Sequence, residues 1–205
     1  MNKAGDPVFR IVVIGVSTGG VKALRVVLEN LPADFPLPVL IVQHISPESG
    51  DGMARLLDEQ CAIRVKEADA GEEIGPAIVY LAPPDYHLLV DAGGILALSV
   101  DPPVCYARPS VDVLFESAAD VFGPGVIGVI LTGANHDGSQ GLKAIQRAGG
   151  MSIVQDPRDA EADEMPNAAI AATRVEHVLP LGEIAPLLRQ LAGRGTLARK
   201  RNEHC

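Results

Sequence analysis

The alternation of short apolar runs with segments of helical periodicity constrains the fold of this chain more than any other feature. Residues 11–16, 37–42 and 126–131 are almost wholly apolar and rich in β-branched side chains. Runs that are apolar throughout predict strands buried on both faces, as in parallel sheets covered by helices. After the first run, a helical stripe is formed by Val21, Leu24, Val27, Leu28 and Leu31. The sequence therefore predicts an α/β fold with a doubly wound, mainly parallel sheet and helices on both faces.

Between residues 61 and 101 the pattern changes to short alternating runs separated by Gly, Pro and Asp. These runs are residues 63–65, 78–82, 87–90 and 95–100. We expect them to form an antiparallel insertion, with Gly93-Gly94 as a hairpin turn. The α/β order then resumes with a helix capped by Ser110, the strand at 126–131, a helix ended by Gly149, strands at 152–154 and 175–178, and a helix at 182–191.

The length of 205 residues suits one principal domain. We expect a short lead at residues 1–10, a main domain at 11–192 and a polar, basic tail at 193–205 that frays. An apolar content of 47% with 21% charged residues indicates a globular protein. The net charge of −9 argues against non-specific binding to nucleic acid, which depends on neutralising phosphates.

The sequence has neither an apolar leader segment at its start nor an apolar run near the roughly 20 residues that span a bilayer. We therefore expect a cytoplasmic protein. Its three cysteines, Cys61, Cys105 and Cys205, are widely spaced and form no C-x-x-C pair. This spacing suggests neither a disulfide framework nor a zinc site.

Ser17 is the first candidate functional residue, because Gly15-Val16-Ser17-Thr18-Gly19 matches the pattern G-x-S-x-G. In that pattern a sharp turn between strand and helix exposes the serine hydroxyl beside free backbone N–H groups. The hydroxyl of Ser17 could then attack a carbonyl, and the N–H of Thr18 could stabilise the resulting oxyanion.

Other interpretations of this turn remain open on these residues alone. A phosphate-binding loop needs Gly-Lys-Ser/Thr at its end, but Lys22 comes one position late and no hydroxyl follows it. The dinucleotide-binding fingerprint G-x-G-x-x-G is not matched either, because Ser17 stands at the position of its second glycine. Ser17 or Thr18 could also simply cap the following helix.

A base and an acid follow two other predicted parallel strands. His44 follows the second strand, and His136 and Asp137 follow the strand at 126–131. Because the carboxyl ends of parallel strands meet at one edge, Ser17, His44 and Asp137 are candidates for a catalytic triad. His44 and Asp137 could instead be structural or capping residues, and His136 is a rival base. No pattern places His87 or His177 near Ser17.

Several separated motifs together resemble the catalytic domain of the CheB family of chemotaxis protein-glutamate methylesterases. They are Gly15-Val-Ser-Thr-Gly-Gly20, Gln43-His44, Lys66-Glu-Ala, Tyr80-Leu-Ala-Pro83, Arg108-Pro-Ser-Val-Asp-Val-Leu-Phe115 and Gly128-Val-Ile-Leu-Thr-Gly133 with Asp137-Gly138. Their order and spacing agree over roughly residues 11–191. Such a resemblance implies hydrolysis of γ-glutamyl methyl esters on the cytoplasmic helices of chemoreceptors, and in some members deamidation of glutamine.

The same resemblance implies a triad of Ser17, His44 and Asp137 and an oxyanion contact from the backbone N–H of Ala134. No metal or organic cofactor is required. The chain departs from the family pattern at Ala134-Asn135, where members usually carry Met-Gly, and at Glu164, where they usually carry glycine. These changes affect the expected surroundings of the substrate.

Members of the family commonly carry a receiver domain ahead of this one, yet only 14 residues precede Gly15. We therefore expect a stand-alone form, controlled in trans by a receiver or kinase if it is controlled at all. Two other functions remain open: a catalytically weak domain that binds receptors or signalling proteins, and a general hydrolase of small esters.

Overall fold

The computed structural model of the chain describes residues 8–44 and 52–202, with side chains described as far as residue 193. The strands are β1 (Ile11–Val16), β2 (Val39–Gln43), β3 (Arg64–Glu67), β4 (Ile78–Leu81), β5 (His87–Asp91), β6 (Ile95–Ser99), β7 (Val126–Ile130), β8 (Met151–Gln155) and β9 (His177–Leu179). The helices are α1 (Gly20–Leu28), α2 (Gly52–Gln60), α3 (Val111–Phe122), α4 (Ser139–Arg147), α5 (Glu164–Ala172) and α6 (Leu181–Asn202).

Within the described residues, seven strands form one parallel sheet in the order β3-β4-β2-β1-β7-β8-β9. The chain leaves β1 toward β2 on one side and later returns to its other side as β7. Strand order therefore reverses between β1 and β7, which opens a crevice at their carboxyl ends. This arrangement confirms the predicted doubly wound α/β fold.

The apolar runs form strands because both of their faces are buried. Along β1, Val12 and Ile14 contact the apolar layer shared with α1, α2 and α6, whereas Ile11 and Val13 contact the layer shared with α3, α4 and the β5–β6 hairpin. Alternate side chains of a strand point to opposite faces, so a strand between two helical layers needs apolar residues at every position.

The antiparallel insertion is smaller than the sequence predicted. Only β5 and β6 pair antiparallel among the described strands, with Gly93 and Gly94 turning between them at φ angles of 82° and 79°. The predicted runs at 63–65 and 78–82 instead form β3 and β4 of the main sheet. β3 is an edge strand with one exposed and two half-buried residues, so its alternation resembles that of an antiparallel strand.

The helices differ from the prediction at three places. Val21, expected in the buried stripe of α1, is 44% exposed, and Ala23 is buried instead. α5 was not predicted, because its short side chains form no clear apolar stripe. α6 continues to Asn202 rather than ending near Leu191. None of the helices in the described part of the chain has the length and hydropathy required to cross a bilayer.

Candidate active site

A cavity of about 600 Å³ lies at the crevice between β1 and β7. Ser17, His44 and Asn135 line one part of it, and the segment 103–109 lines another. Ser17 directly follows β1, His44 directly follows β2, and Asn135 lies in the loop between β7 and α4. The cavity therefore stands at the carboxyl edge of the sheet, where the sequence predicted a site.

The turn that carries Ser17 is held by its neighbours on both sides. The Ser17 N–H donates to the carbonyl of Thr132, and the side-chain amide of Gln43 donates to the carbonyl of Ser17, each at 2.9 Å. Gly19 has a φ of 77°, in the left-handed region that glycine adopts without steric cost. A β-carbon at Gly19 would also lie 2.8 Å from the β-carbon of Glu161. These contacts fix the direction in which the backbone leaves β1.

Asp137 is buried against the N-terminus of α3. Its carboxylate accepts hydrogen bonds from the backbone N–H groups of Val111 (2.7 Å) and Asp112 (3.0 Å) and from the hydroxyl of Ser110 (2.9 Å). Ser110 occupies the N-cap position, as predicted, but its side chain makes no capping bond, and the distant Asp137 satisfies the helix instead. The positive end of the helix dipole favours a negative charge there.

These donors decide the ionisation of Asp137. Burial by itself would raise the pKa of this carboxyl. The hydrogen bond from His44 and those from the backbone of Asp112 and Val111 outweigh burial, and they hold the pKa below its usual value. Asp137 is therefore an anion at neutral pH, although its side chain is wholly buried.

His44 lies between Asp137 and the cavity, and only 13% of its side chain is exposed. Nε2 of His44 is 2.8 Å from Oδ2 of Asp137. An ionised carboxylate can only accept, so Nε2 carries the hydrogen and Nδ1 keeps its lone pair. The side-chain nitrogen of Asn135 lies 3.2 Å from that Nδ1. His44 is thus oriented as a base whose free nitrogen is Nδ1.

Ser17 and His44 line the same cavity without a direct hydrogen bond between their side chains, as far as the described residues are concerned. Such contacts are often long in ligand-free sites and shorten when substrate binds. The loop after β7 lies against Ser17, because a β-carbon at Gly133 would come 2.9 Å from that of Ser17. Ala134, the next residue, is exposed, and so is Thr18, which directly follows Ser17.

The other histidines named by the sequence lie elsewhere. His136 is exposed, and its Nε2 is 3.6 Å from the sulfur of Cys105. His87 is buried behind the N-terminus of α3, where Nδ1 accepts the N–H of Ser110. His177 belongs to the edge strand β9. None of these three is among the residues that line the cavity of Ser17.

A cluster of possible metal ligands adjoins the site, but its chemistry does not suit a cation. The sulfur of Cys105 and carboxylate oxygens of Asp112 and Asp137 lie within 4.8 Å of one another. Burial raises the pKa of the Cys105 thiol and that of Asp112, the latter to about 6, and both oxygens of Asp137 already accept hydrogen bonds. Metal ligands must give up their protons, which this environment opposes.

Sequence reasoning missed several residues that shape the site. The start of α3 was predicted, but its contact with Asp137 was not. The segment between β8 and α5 packs beneath Ser17, where Thr132 Oγ1 lies 2.9 Å from the carbonyl of Thr18 and accepts the N–H of Ala162 at the same distance. Met165 is buried against Gly133. The motifs Pro109-Ser110-Val111-Asp112 and Met165-Pro166 can be read in the sequence. Only the tertiary contacts show that the first binds the carboxylate of Asp137 and that the second packs against Gly133.

Comparison with known proteins identifies the family. The sequence pattern described as CheB methylesterase matches residues 12–188. The chain belongs to the CheB methylesterase family. This match confirms the resemblance that the separated motifs had indicated.

Relatives agree with this assignment over most of the chain. One relative comes from Leptospira interrogans serogroup Icterohaemorrhagiae serovar copenhageni and is named putative protein-glutamate methylesterase/protein-glutamine glutaminase. It is 48% identical to this chain over 183 residues, which cover 89% of this chain and 95% of that protein. The protein-glutamate methylesterase/protein-glutamine glutaminase of Symbiobacterium thermophilum is 42% identical over 91% of this chain. The matched region covers only 51% of the latter protein.

The fold is also that of a solved member of the family. The crystal structure of the Thermotoga maritima CheB methylesterase catalytic domain superposes with a TM-score of 0.86 at 37% identity. The alignment covers 89% of this chain and 98% of that domain. The parallel sheet and the β5–β6 hairpin described above are therefore the CheB catalytic fold.

Proposed function

We propose that Ser17, His44 and Asp137 form the catalytic triad of a protein-glutamate methylesterase. The observation that carries this proposal is the hydrogen bond between His44 and a buried, ionised Asp137, beside the cavity that Ser17 and His44 share. The names of the relatives supply the substrate class, a glutamate methyl ester on a protein. We take the catalytic unit to be residues 11–192.

The chemistry follows from the positions of the atoms. Ser17 Oγ attacks the ester carbonyl while Nδ1 of His44 accepts its proton, and Asp137 stabilises the positive charge on the imidazole. The backbone N–H groups of Thr18 and Ala134 donate to the oxyanion. His44 then protonates the departing methoxy oxygen, which leaves as methanol. Water attacks the acyl-enzyme with His44 again as base, which releases the glutamate carboxylate and restores Ser17.

Glutamine deamidation is a second candidate activity of the same site, because the relatives are also named protein-glutamine glutaminases. The acyl-enzyme would be the same, and ammonia would leave in place of methanol. Both reactions need a proton for the leaving group, which the same His44 supplies.

We further propose methylated chemoreceptor helices as the substrate and the cytoplasm as the place of action. The family assignment supports this choice. A receiver or kinase acting in trans is the proposed means of control.

Release of methanol from methylated receptor membranes tests the function directly. Wild-type protein should release methanol, and Ser17→Ala should reduce turnover on the order of a million-fold, as loss of a triad nucleophile does. Ser117→Ala, which removes the hydroxyl of a half-buried serine of α3 outside the cavity lining, is the matched control. Equal release by wild type and Ser17→Ala would refute the mechanism. Activity on small esters without any on receptor would indicate a general esterase.

A further inference from the structure

Asn135 brings a side chain into the cavity that the proposed triad does not use. Its Nδ2 lies 3.2 Å from Nδ1 of His44, and its Oδ1 lies 3.0 Å from the backbone nitrogen of Asp137. The residue is half-buried and lines the same cavity as Ser17. One short amide therefore contacts both partners of the His44–Asp137 pair.

The orientation of this amide follows from its neighbours. A backbone N–H can only donate, so the atom of Asn135 that faces the nitrogen of Asp137 must be the oxygen. The NH₂ group then faces His44. On the far side of the imidazole, the carboxylate of Asp137 requires a hydrogen on Nε2, which leaves the lone pair on Nδ1. Both contacts agree that Asn135 donates a hydrogen bond to Nδ1.

That lone pair is the one that must receive the proton of Ser17. A ring nitrogen has a single lone pair, so the amide of Asn135 and the hydroxyl of Ser17 cannot both donate to it with good geometry. Once Nδ1 has taken the serine proton, it becomes a donor that faces the donor of Asn135. The amide must then turn away or lose its hydrogen bond.

We propose that Asn135 is a positioning residue that competes with Ser17 for Nδ1 of His44, so that the resting site reacts only when the amide leaves this nitrogen. The proposal rests on the proposed pairing of Ser17 with His44. It makes Asn135 a restraint on the general base, not a group that takes part in bond making or breaking.

Two substitutions separate this role from a structural one. Asn135→Ser keeps an oxygen that can accept the N–H of Asp137 in the same kind of turn, but its side chain is too short to reach His44. Asn135→Asp keeps the size and the turn acceptor, but it presents an acceptor to Nδ1. Asn30→Ser, at an exposed turn position two residues after α1, is the matched control.

The measurement is the rate at which a small fluorophosphonate labels Ser17, followed by mass spectrometry. Asn135→Ser should react about two- to tenfold faster than wild type, the range that corresponds to one neutral hydrogen bond. Asn30→Ser should react at the wild-type rate. A rate for Asn135→Ser at or below that of the wild type would overturn the proposal.

The pH profile of labelling gives a second readout. A carboxylate facing Nδ1 favours the protonated imidazole, which cannot accept the serine proton, so Asn135→Asp should move the acidic limb to higher pH. The other ionisable groups nearby stay unchanged: Asp137 on Nε2, the Asp85–Arg108 pair (2.7 Å) and Cys105 on the cavity wall, and exposed His136. A profile superimposable on that of wild type would show that Asn135 does not contact His44.

Failure of the proposed function is distinguishable from failure of this inference. Label that persists in Ser17→Ala would reject the nucleophile. The contact itself can then be read from the ¹⁵N resonance of the unprotonated Nδ1 of His44 in histidine-labelled protein. In a Ser17→Ala background, where no serine hydroxyl can take the place of the amide, that resonance should move to the position of a nitrogen without a hydrogen bond when Asn135→Ser is added, and it should stay in place when Asn30→Ser is added. An unmoved resonance on adding Asn135→Ser to Ser17→Ala would overturn the proposal without any measurement of activity.

Discussion

The carboxylate of Asp137 lies 2.8 Å from Nε2 of His44, although the two residues are 93 positions apart in the chain. The same carboxylate accepts the first free N–H groups of α3. One buried anion thus orients the imidazole and satisfies a helix terminus. The stability of α3 and the geometry of the proposed base are therefore coupled through Asp137.

Asp137→Asn should reduce turnover and also destabilise the protein, because either orientation of the amide places its NH₂ group against a backbone N–H of α3. With the amide NH₂ facing Nε2, the imidazole proton is forced onto Nδ1, the nitrogen that must accept the proton of Ser17. A loss on the order of 10⁴ in kcat is expected from such a wrong tautomer. Methanol release, with folding checked by circular dichroism, measures it. Asp120→Asn, on the exposed side of α3, should behave as wild type, and an Asp137→Asn enzyme within tenfold of wild type would exclude the orienting role.

Asp112→Asn should stabilise the protein above pH 6 and lose this effect in acid. Burial, with the nearby charge of Asp137, raises the pKa of Asp112 to about 6, despite the hydrogen bond from the N–H of Gly141. The unfolded value is about 3.9, so above pH 6 the folded state bears the cost of a buried charge, and below about pH 4 both states are protonated.

The expected gain for Asp112→Asn is about 1–3 kcal/mol in the free energy of unfolding at pH 8, falling toward zero near pH 4. The amide oxygen can still accept the N–H of Gly141. Asp137 gives the opposite dependence of stability on pH, because its lowered pKa stabilises the fold at neutral pH and this contribution is lost in acid. Both proteins contain Asp137, so its contribution cancels in the difference between them. Urea unfolding at several pH values measures the difference. A difference that does not change with pH would contradict the explanation.

Tyr106→Ala should raise KM and leave kcat unchanged. Tyr106 lies at the cavity wall, fully exposed, on a turn closed by two hydrogen bonds between the backbones of Val104 and Ala107. An exposed ring on a rigid turn beside the proposed nucleophile suits contact with a protein substrate. We expect an increase of about fivefold in KM, since aromatic contacts at interfaces commonly contribute 1 kcal/mol or more. Tyr86→Ala, outside the cavity lining, is the control, and a fall in kcat alone would refute a binding role.

Gly133→Ala should destabilise the loop beside Ser17. The added methyl would overlap the sulfur of Met165 and come 2.9 Å from the β-carbon of Ser17. Overpacking of this kind costs about 1–3 kcal/mol, and displacement of Ser17 should also lower turnover. Gly182→Ala, with no atom within 4 Å of the added carbon, is the matched control. Addition of Met165→Ala should restore part of the stability, and no restoration would show that the overlap is not the cause.

Much of the fold could be predicted from local patterns. The apolar runs of β1, β2 and β7 indicated strands buried on both faces, and Gly93-Gly94 indicated the β5–β6 hairpin. The position of β3 and β4 in the main sheet could not be predicted in the same way. Their short, partly exposed runs contain no information about which strand they pair with, because pairing is decided by the crossover of the intervening chain.

The sequence predicted the position of the candidate site but not the contacts that support it. Ser17, His44 and Asp137 were nominated because each follows a parallel strand, and the structure brings all three to one crevice. Their catalytic roles remain predictions. The contact between Asp137 and α3 could not be foreseen, since Ser110 has the sequence signature of a cap and the residue that satisfies the helix is distant in the chain. Asn135 was noted only as a departure from the family pattern.

The sequence by itself determined the class of fold, the family and the side chains available for chemistry, because strand burial, helical periodicity and motif spacing are local properties. Tertiary structure alone decided the ionisation of Asp137, the free nitrogen of His44 and the position of Asn135 against it. These properties depend on burial and on donors that approach from separate parts of the chain. The pKa of a buried carboxyl and the tautomer of an imidazole are set by such neighbours in space, and no local pattern encodes them.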